Sequence, residues 1–395
     1  MKAGDDASDN ANGPLVFLIA GEPSGDVLGA LLMAALKETG PVRFAGVGGP
    51  RMSEQGLDSM FEMSELSLMG LAEVLPHLPR LMRRIREAAD GVRKSRPAVL
   101  VTIDSPDFSF RVAKRLKGEG VPLVHYVAPS VWAWKPGRAR DIASFLDHLL
   151  ALLPFEPPYF EAEGLACTFV GHPVVESRAG MGDGEAFRRR HGIPAAAPLV
   201  SVLPGSRHGE TSRLLPVFSQ TLSLLKQKRP DLRAVVPTLA AVSAEVSQAA
   251  SGWPVPTKVI EGEDEKFDAF AASGAALAAS GTVALELAMS GTPAVIAYKM
   301  NPLTAWLARR LIRVRFANLV NIILDRQAVP EFLQGDCRPQ RLAAAIEELL
   351  DNEQVRRSQI ADAKEAMSRL GLGGPSPSRR AAEVVLEIIK GEKNE

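Results

Sequence analysis

The chain has 395 residues, more than one ordinary core accommodates, so two domains are expected. With 46% hydrophobic and 23% charged residues it has the make-up of a soluble globular protein. Lys plus Arg and Asp plus Glu number 46 each, so the balance gives no indication of nucleic-acid binding and leaves any basic surface local.

The first residues, MKAGDDASDNANG, are polar and acidic, the opposite of a secretory signal, and read as a disordered tail over residues 1–13. Without a signal, and with only Cys167 and Cys337, far apart and lacking metal-ligand spacing, the expected compartment is the cytoplasm. Both cysteines read as buried thiols.

Beyond the tail, short apolar runs alternate with helical stretches. They are Leu15–Ala20, Arg43–Val47, Val99–Ile103, Leu123–Val127, Leu149–Leu153 and Thr168–Val170, then Leu199–Leu203, Ala234–Val236, Lys258–Ile260, Ala275–Ala278 and Ala294–Ala297. Continuous apolar strands separated by helices indicate α/β domains with doubly wound parallel sheets, covered on both faces. Ligands of such sheets gather at the carboxyl ends of strands, so the polar residues after each run are the candidates.

The first run leads into AGEPSGDVLGA, residues 20–30. Gly21 and Gly25 allow a tight turn, and Ser24 or Asp26 can cap the next helix. Phosphate binding is disfavoured there, because the spacing is not GxGxxG and Glu22 and Asp26 repel an anion. Carboxylates offered to sugar hydroxyls fit better, with plain turn and cap duty as the competing reading. Farther on, Leu66–Leu81 carries Leu68, Met69, Leu71 and Leu75, and basic Arg80, Arg83, Arg84 and Arg86 stand at its end. Apolar bulk beside cations marks a segment attracted to an anionic membrane surface. An amphipathic core helix with a solvated basic side competes with that reading, and Pro76 and Pro79 argue against one continuous helix.

The third run delivers Asp104, followed by Ser105-Pro106-Asp107. A carboxylate at a parallel-strand end can take a proton from a substrate hydroxyl, although a structural role for Asp104 stays open at this point and Asp107 can simply cap a helix. In HYVAPSVWAWKPGR, residues 125–138, His125 precedes Trp132 and Trp134, which are two of the chain's four tryptophans. Aromatic rings beside Lys135 and Arg138 suit sugar and phosphate, and core filling is the alternative.

A boundary is expected near Val174–Asp183, after Gly171-His172-Pro173. In the second half, Pro204-Gly205-Ser206-Arg207 is a tight turn presenting one cation able to fork onto a diphosphate. Ser280-Gly281-Thr282 opens a helix whose free N–H groups form an anion site with no acid in the first residues, the reverse of the Glu22 loop. Ala271–Tyr298 is punctuated by Gly274, Gly281, Gly291, Pro293 and Glu286, so it reads as strand, helix and strand rather than a membrane span. Trp306–Phe316, with four arginines and no acid, is a second candidate for phospholipid or phosphate. Gly371–Ser378 breaks one helix, and Arg379–Lys390 reads as a final helix able to cross back onto the first domain.

AGEPSGD (20–26), GVGGPRM (46–52), MGLAEVL (69–75), IDSPDF (103–108), HYVAPSVWAWKPGR (125–138), LLPFE (152–156), FVGHP (169–173), LPGSR (203–207), ASGTVALE (279–286) and FLQGDC (332–337) resemble, in order, the lipid-A-disaccharide synthase family. The resemblance implies a GT-B glycosyltransferase fold, two Rossmann-like domains facing a cleft. Residues 14–175 form the acceptor and membrane-binding domain, 176–370 the UDP-sugar-binding domain and 371–395 a C-terminal helix. It implies transfer of a sugar from UDP-2,3-diacylglucosamine to the 6-hydroxyl of 2,3-diacylglucosamine 1-phosphate, with inversion, at the inner face of the cytoplasmic membrane. A homodimer is left open. Asp104 matches the family's essential aspartate and becomes the expected base. Glu22, Ser24, Asp26, His125, Trp132 and Trp134 form the expected acceptor set. Gly205, Ser206, Arg207, Ser280, Gly281, Thr282, Glu286 and Asn321 are the expected donor set, Asn321 by resemblance alone. Glu286, one helical turn past Thr282, can offer two oxygens to the ribose hydroxyls. No Asp-x-Asp follows a strand of the donor half, so no metal and no cofactor are expected.

The rivals are other GT-B enzymes acting on UDP-N-acetylglucosamine, either a 2-epimerase or a peptidoglycan-type transferase, which share the donor half but not IDSPDF and VAPSVWAW. A bilobal solute-binding protein needs an export signal. A non-catalytic UDP-sugar sensor is expected to lose Asp104, which this chain keeps.

Overall fold

The computed structural model describes residues 13–66, 71–134, 137–301, 305 and 314–391, with backbone alone for 71–78, 134 and 264. All of the expected tail except Gly13, together with Leu68, Met69 and most of Trp306–Phe316, therefore lies outside the described residues. The chain divides into two compact units, Met1–Pro173 with Gly373–Glu395, and Val174–Leu372.

The first unit runs β1 (Leu15–Ala20), α1 (Pro23–Thr39), β2 (Arg43–Val47), α2 (Pro50–Glu54), α3 (Leu71–Ser95), β3 (Val99–Ile103), α4 (Pro106–Leu116), β4 (Leu123–Tyr126), α5 (Val131–Trp134), α6 (Arg138–Ala143), β5 (His148–Ala151), α7 (Pro157–Glu161) and β6 (Ala166–Phe169). Its six strands are parallel, in the order β2-β1-β3-β4-β5-β6. Because successive strand residues face opposite ways, an apolar run feeds two cores at once. Phe17 and Ile19 pack with Ile85, Ala88, Ala89 and Val92 of α3 and Phe108 and Val112 of α4. Val16, Leu18 and Ala20 pack with Leu32 and Leu36 of α1 and with Ala381, Val384 and Val385 of the C-terminal helix Pro377–Lys390.

The second unit continues α8 (Gly184–Arg190), β7 (Leu199–Leu203), α9 (His208–Lys228), β8 (Arg233–Thr238), α10 (Ser243–Ala250), β9 (Thr257–Glu261), α11 (Glu263–Ala272), β10 (Ala275–Ala279), α12 (Val283–Met289), β11 (Ala294–Tyr298), α13 (Leu319–Leu324), β12 (Glu331–Leu333), α14 (Pro339–Asp351) and α15 (Glu353–Arg369). Again six parallel strands form one sheet, ordered β12-β11-β10-β7-β8-β9. Val200 and Val202 join Leu214, Phe218 and Leu222 of α9, whereas Leu199 joins Phe187, Val235 and Ile260 on the opposite face.

Both sheets are doubly wound, and each has a point where strand order reverses. In the first unit it lies between β1 and β3, where the register sets Ala20 opposite Ile103. In the second it lies between β7 and β10, with Leu203 opposite Ala278. The carboxyl ends of such strand pairs diverge into a crevice, which is where ligands of these folds bind.

One expectation is corrected, and one strand was not expected. α3 is one helix through Pro76 and Pro79. Each proline removes one backbone bond, a cost of the kind that kinks a helix, and the later turns hold it through Ile85, Ala88, Ala89 and Val92, buried against the sheet. The edge strand β12 is three residues long, too short to show a period. Ala271–Tyr298 resolves into the end of α11, β10, α12 and β11. Among the described residues no helix is long and apolar enough to cross a membrane.

Candidate active site

At the reversal point of the first sheet, β1 ends in Gly21 and β3 in Asp104. A Cβ on Gly21 would stand 2.7 Å from Ser105 Oγ, so glycine alone lets the two loops meet. Asp104 and Ser105 both take the left-handed backbone conformation, with φ of 52° and 44°. Such geometry in non-glycine residues costs of order 1–3 kcal/mol each and clusters at functional sites. It is over-determined here, since Asp104 N donates to Tyr126 O at 3.0 Å and Ser109 Oγ donates to Asp104 O at 2.8 Å. The turn leaves the Asp104 carboxylate half-buried: Oδ1 accepts from Ser105 N at 2.9 Å and Oδ2 from Ser24 Oγ at 3.0 Å. Ser105 Oγ donates in turn to Glu22 Oε1 at 3.2 Å. Glu22, Ser24 and Asp104 are thus brought together, the two carboxylates joined through Ser105 while Ser24 holds Asp104.

Three other members of the expected acceptor set have different duties or lie beyond description. Asp26 is only 3% exposed, and its carboxylate accepts from the N–H groups of Gly49, Arg51 and Met52 at 2.9–3.0 Å. It caps the start of α2 and offers nothing to a ligand. His125 is fully buried in β4, its Nδ1 2.8 Å from Thr102 Oγ1 and its ring edge-on to Phe110. Burial, and then the nearby Arg138 charge, pull it down to about 3, so it is a neutral core histidine. The side chain of Trp134 is outside the described residues.

Trp132 packs edge-on against Phe155 and donates Nε1–H to Glu156 Oε1 at 3.1 Å. Glu156 lies in the LLPFE motif but gave no signal of its own within an apolar run. It is 3% exposed, also accepts from Leu153 N at 3.0 Å, and burial pushes its carboxyl from 4.5 up to about 7. A raised carboxyl pKa means that folding favours the protonated acid. The stabilisation is full below about pH 4.5 and is lost as pH rises through 7, an effect of about 3 kcal/mol. Glu156→Gln is expected to remove that loss. Urea midpoints measured in mild acid and mild alkali check it, and equal pH dependence in the two proteins would reject the assignment.

At the reversal point of the second sheet lies a pocket of about 380 Å³. Its wall takes in Gly205, Ser206, Arg207, Ser280, Gly281, Thr282 and Glu286, seven of the eight expected donor residues, with Glu210, Thr238, Leu239 and Lys266. Gly205 has φ 118°, and a Cβ there would lie 2.6 Å from Glu210, so the turn requires glycine. Glu210 Oε2 accepts from Ser206 N at 3.0 Å, which already satisfies the first donor of that loop. The start of α12 is different: the N-cap residue Thr282 makes no side-chain cap bond, and Gly281 and Thr282 are exposed. Ala284, Leu285 and Leu287 are buried and hold the helix to the sheet while Glu286 faces the pocket. Ser280 donates its hydroxyl proton to Ala317 O at 3.0 Å, so toward a ligand that hydroxyl can only accept.

Sequence reasoning missed Lys266, Glu210 and Thr238. Lys266 Nζ donates to Glu286 Oε1 at 2.9 Å, but in EDEKFDAF it reads as one more charge on a solvated helix. Thr238 ends β8, so the strand-end rule could have found it. Its hydroxyl is buried with no partner among the described residues.

Asn321 is the donor residue that the structure separates from the rest. It is fully buried in α13, where Oδ1 accepts from Ala328 N and Val329 N and Nδ2 donates to Val329 O, all within 2.8–2.9 Å. Its amide fixes the turn before β12 and lines no part of the pocket. Of the basic segment, Arg83 is exposed on α3. Arg84 is committed: it is 17% exposed, pairs with Glu65 at 2.7 Å and Glu87 at 2.6 Å, and covers the Phe61 ring. With Arg80 it holds the Glu65 carboxyl down to about 2. Leu71 and Leu75 lie on α3, their side chains outside the described residues. Among the described residues, no three His, Cys, Asp or Glu side chains gather as a metal site requires.

Against known proteins, residues 16–385 match the model of the lipid-A-disaccharide synthetase family. The lipid-A-disaccharide synthase of Rhodospirillum centenum is 60% identical over 379 residues, covering 95% of this chain and 94% of that protein. That of Paramagnetospirillum magneticum is 54% identical over 387 residues, covering 96% and 99%. Among solved structures, UDP-GlcNAc 2-epimerase from Neisseria meningitidis bound to UDP-GlcNAc superposes with a TM-score of 0.65, covering 95% of this chain and 100% of that one. At 11% identity that likeness speaks for the fold alone, the GT-B arrangement of two doubly wound units.

Proposed function

The chain belongs to the lipid-A-disaccharide synthase family, and from that premise we propose that Asp104 takes the proton of the reaction while the pocket between Gly205 and Glu286 holds the donor's uridine diphosphate. The protein is a glycosyltransferase of lipid A biosynthesis, acting on a UDP-sugar and a lipid acceptor. The donor is UDP-2,3-diacylglucosamine and the acceptor 2,3-diacylglucosamine 1-phosphate. The acceptor's 6-hydroxyl oxygen attacks the anomeric carbon as the bond from that carbon to the phosphate oxygen breaks. The bond electrons leave on UDP and the hydroxyl proton passes to Asp104. One displacement inverts the anomeric centre and gives a β-1,6 disaccharide.

The observation that carries this reading is the uncapped start of α12 in one pocket with Arg207 and Glu286. Backbone N–H groups and one guanidinium favour the diphosphate most when its charge is greatest, as it leaves. Ser24 Oγ and Ser105 N orient the Asp104 carboxylate and leave lone pairs free on both oxygens. The test is UDP release from purified protein. It is expected only when UDP-2,3-diacylglucosamine and 2,3-diacylglucosamine 1-phosphate are both present, and conversion of UDP-N-acetylglucosamine alone into its C2 epimer would favour an epimerase.

Both substrates carry acyl chains, so the protein works at the inner surface of the cytoplasmic membrane, held there by residues 66–81 and by exposed Arg83 rather than Arg84. Replacing Leu68, Met69, Leu71 and Leu75 with serine is expected to lower co-sedimentation with anionic phospholipid vesicles about tenfold. Unchanged sedimentation would remove the segment from consideration.

A further inference from the structure

The donor pocket contains an ion pair that the reaction scheme has not used. Lys266 Nζ, on α11, donates to Glu286 Oε1, on α12, at 2.9 Å, and both side chains are about one-fifth exposed. The same ammonium stands 4.6 Å from the centre of the Phe267 ring, and Phe267 is itself buried. The lysine head is therefore pinned from two sides, by a carboxylate and by an aromatic face, before any ligand arrives. Both residues line the pocket.

An ionised carboxylate has about four lone-pair positions on its two oxygens. One ammonium occupies one of them, on Oε1. It leaves the second lone pair of Oε1 and both of Oε2 for hydroxyl donors, enough for two adjacent hydroxyls of one sugar. Unpaired, the Glu286 side chain would be free to rotate, and fixing it on binding would cost side-chain entropy. The lysine removes that cost beforehand.

We propose that Lys266 is a positioning residue of the donor pocket: by holding Glu286 in place it sets the preference for a ribonucleoside diphosphate over its 2′-deoxy counterpart. The inference rests on reading Val174–Leu372 as the nucleotide-binding unit and extends it to the choice of sugar. Lys266 acts through Glu286 and is given no contact of its own with the reacting atoms.

The experiment is calorimetric titration of the full-length chain with UDP and with 2′-deoxy-UDP, using wild type, Lys266→Met, Lys266→Arg, Glu286→Gln and the Lys266→Met/Glu286→Gln pair. Wild type is expected to prefer UDP by about tenfold, the size of one hydrogen bond to a charged acceptor. Lys266→Met is expected to weaken UDP about tenfold while changing 2′-deoxy-UDP by less than about threefold, so that the preference disappears. Lys266→Arg keeps the preference. The double variant is expected to be no worse than Glu286→Gln, because the two residues act as one unit. If Lys266→Met weakens both nucleotides equally and keeps the preference, the lysine is an ordinary phosphate cation and the proposal is overturned. Unchanged binding of both nucleotides overturns it too. A wild type that binds neither overturns the nucleotide pocket itself, a result distinct from either. Far-ultraviolet circular dichroism of each variant separates these outcomes from loss of fold.

Discussion

Asp104→Asn is expected to lower kcat by about a thousandfold and to leave UDP affinity within about a factor of two. The two expectations come from different parts of the molecule. The carboxylate stands at the end of β3 in the first unit, whereas the pocket proposed for the nucleotide is lined by residues of the second. Asparagine has nearly the same shape, keeps an oxygen for Ser24 Oγ or Ser105 N, and tolerates the left-handed conformation that φ 52° demands. What it lacks is the basicity to accept a proton. Fold and donor binding survive and chemistry stops. Turnover within tenfold of wild type would show that another group takes the proton, and Glu22, joined to Asp104 through Ser105, is the neighbour to try next.

Asp26→Ala is expected to show the opposite pattern. Only one residue separates this carboxylate from Ser24, yet it is 3% exposed and receives three backbone N–H groups. Removing it leaves those donors of the α2 start without a partner in a dry site, a loss of about 3 kcal/mol in unfolding free energy. The folded fraction is expected to keep kcat within about threefold, since no substrate contact is lost. Denaturant midpoints and steady-state kinetics on the same preparation decide it. A stable but inactive Asp26→Ala would return this residue to the substrate site.

These two aspartates show how far a sequence carries an argument about a site. Asp104 was legible because it follows a fully apolar run, and a residue just past a parallel strand must emerge at the ligand-binding edge. The same rule found Gly205 to Arg207 after β7 and Ser280 to Glu286 after β10. Asp26 and His125 were misplaced because each is polar and close to such an edge, and sequence does not say which way a side chain turns or what takes its lone pairs; Asn321, expected by resemblance alone, lies in a helix away from the pocket. His125 sits one position before Tyr126 in β4, on the strand face that meets Phe110. Lys266 and Glu210 escaped for the converse reason: their charges look solvated until a neighbouring loop is folded against them.

Local pattern determined the strands of this protein, since a continuous run of apolar residues is stable as a strand only when sheet neighbours and helices cover both its faces. It determined much of the proposed site too, because Asp104, Arg207 and Glu286 stand just past strand ends or in the first turn of the helices that follow. Strand order was decided only by the tertiary structure. β1 lies beside β3 and β7 beside β10 because the crossover helices wind in opposite directions from β1 and from β7. That winding brings Glu22 to Ser105 across 83 positions and Lys266 to Glu286 across 20. Nothing local encodes such a meeting, for it depends on which helix faces bury one another once the loops between them have closed.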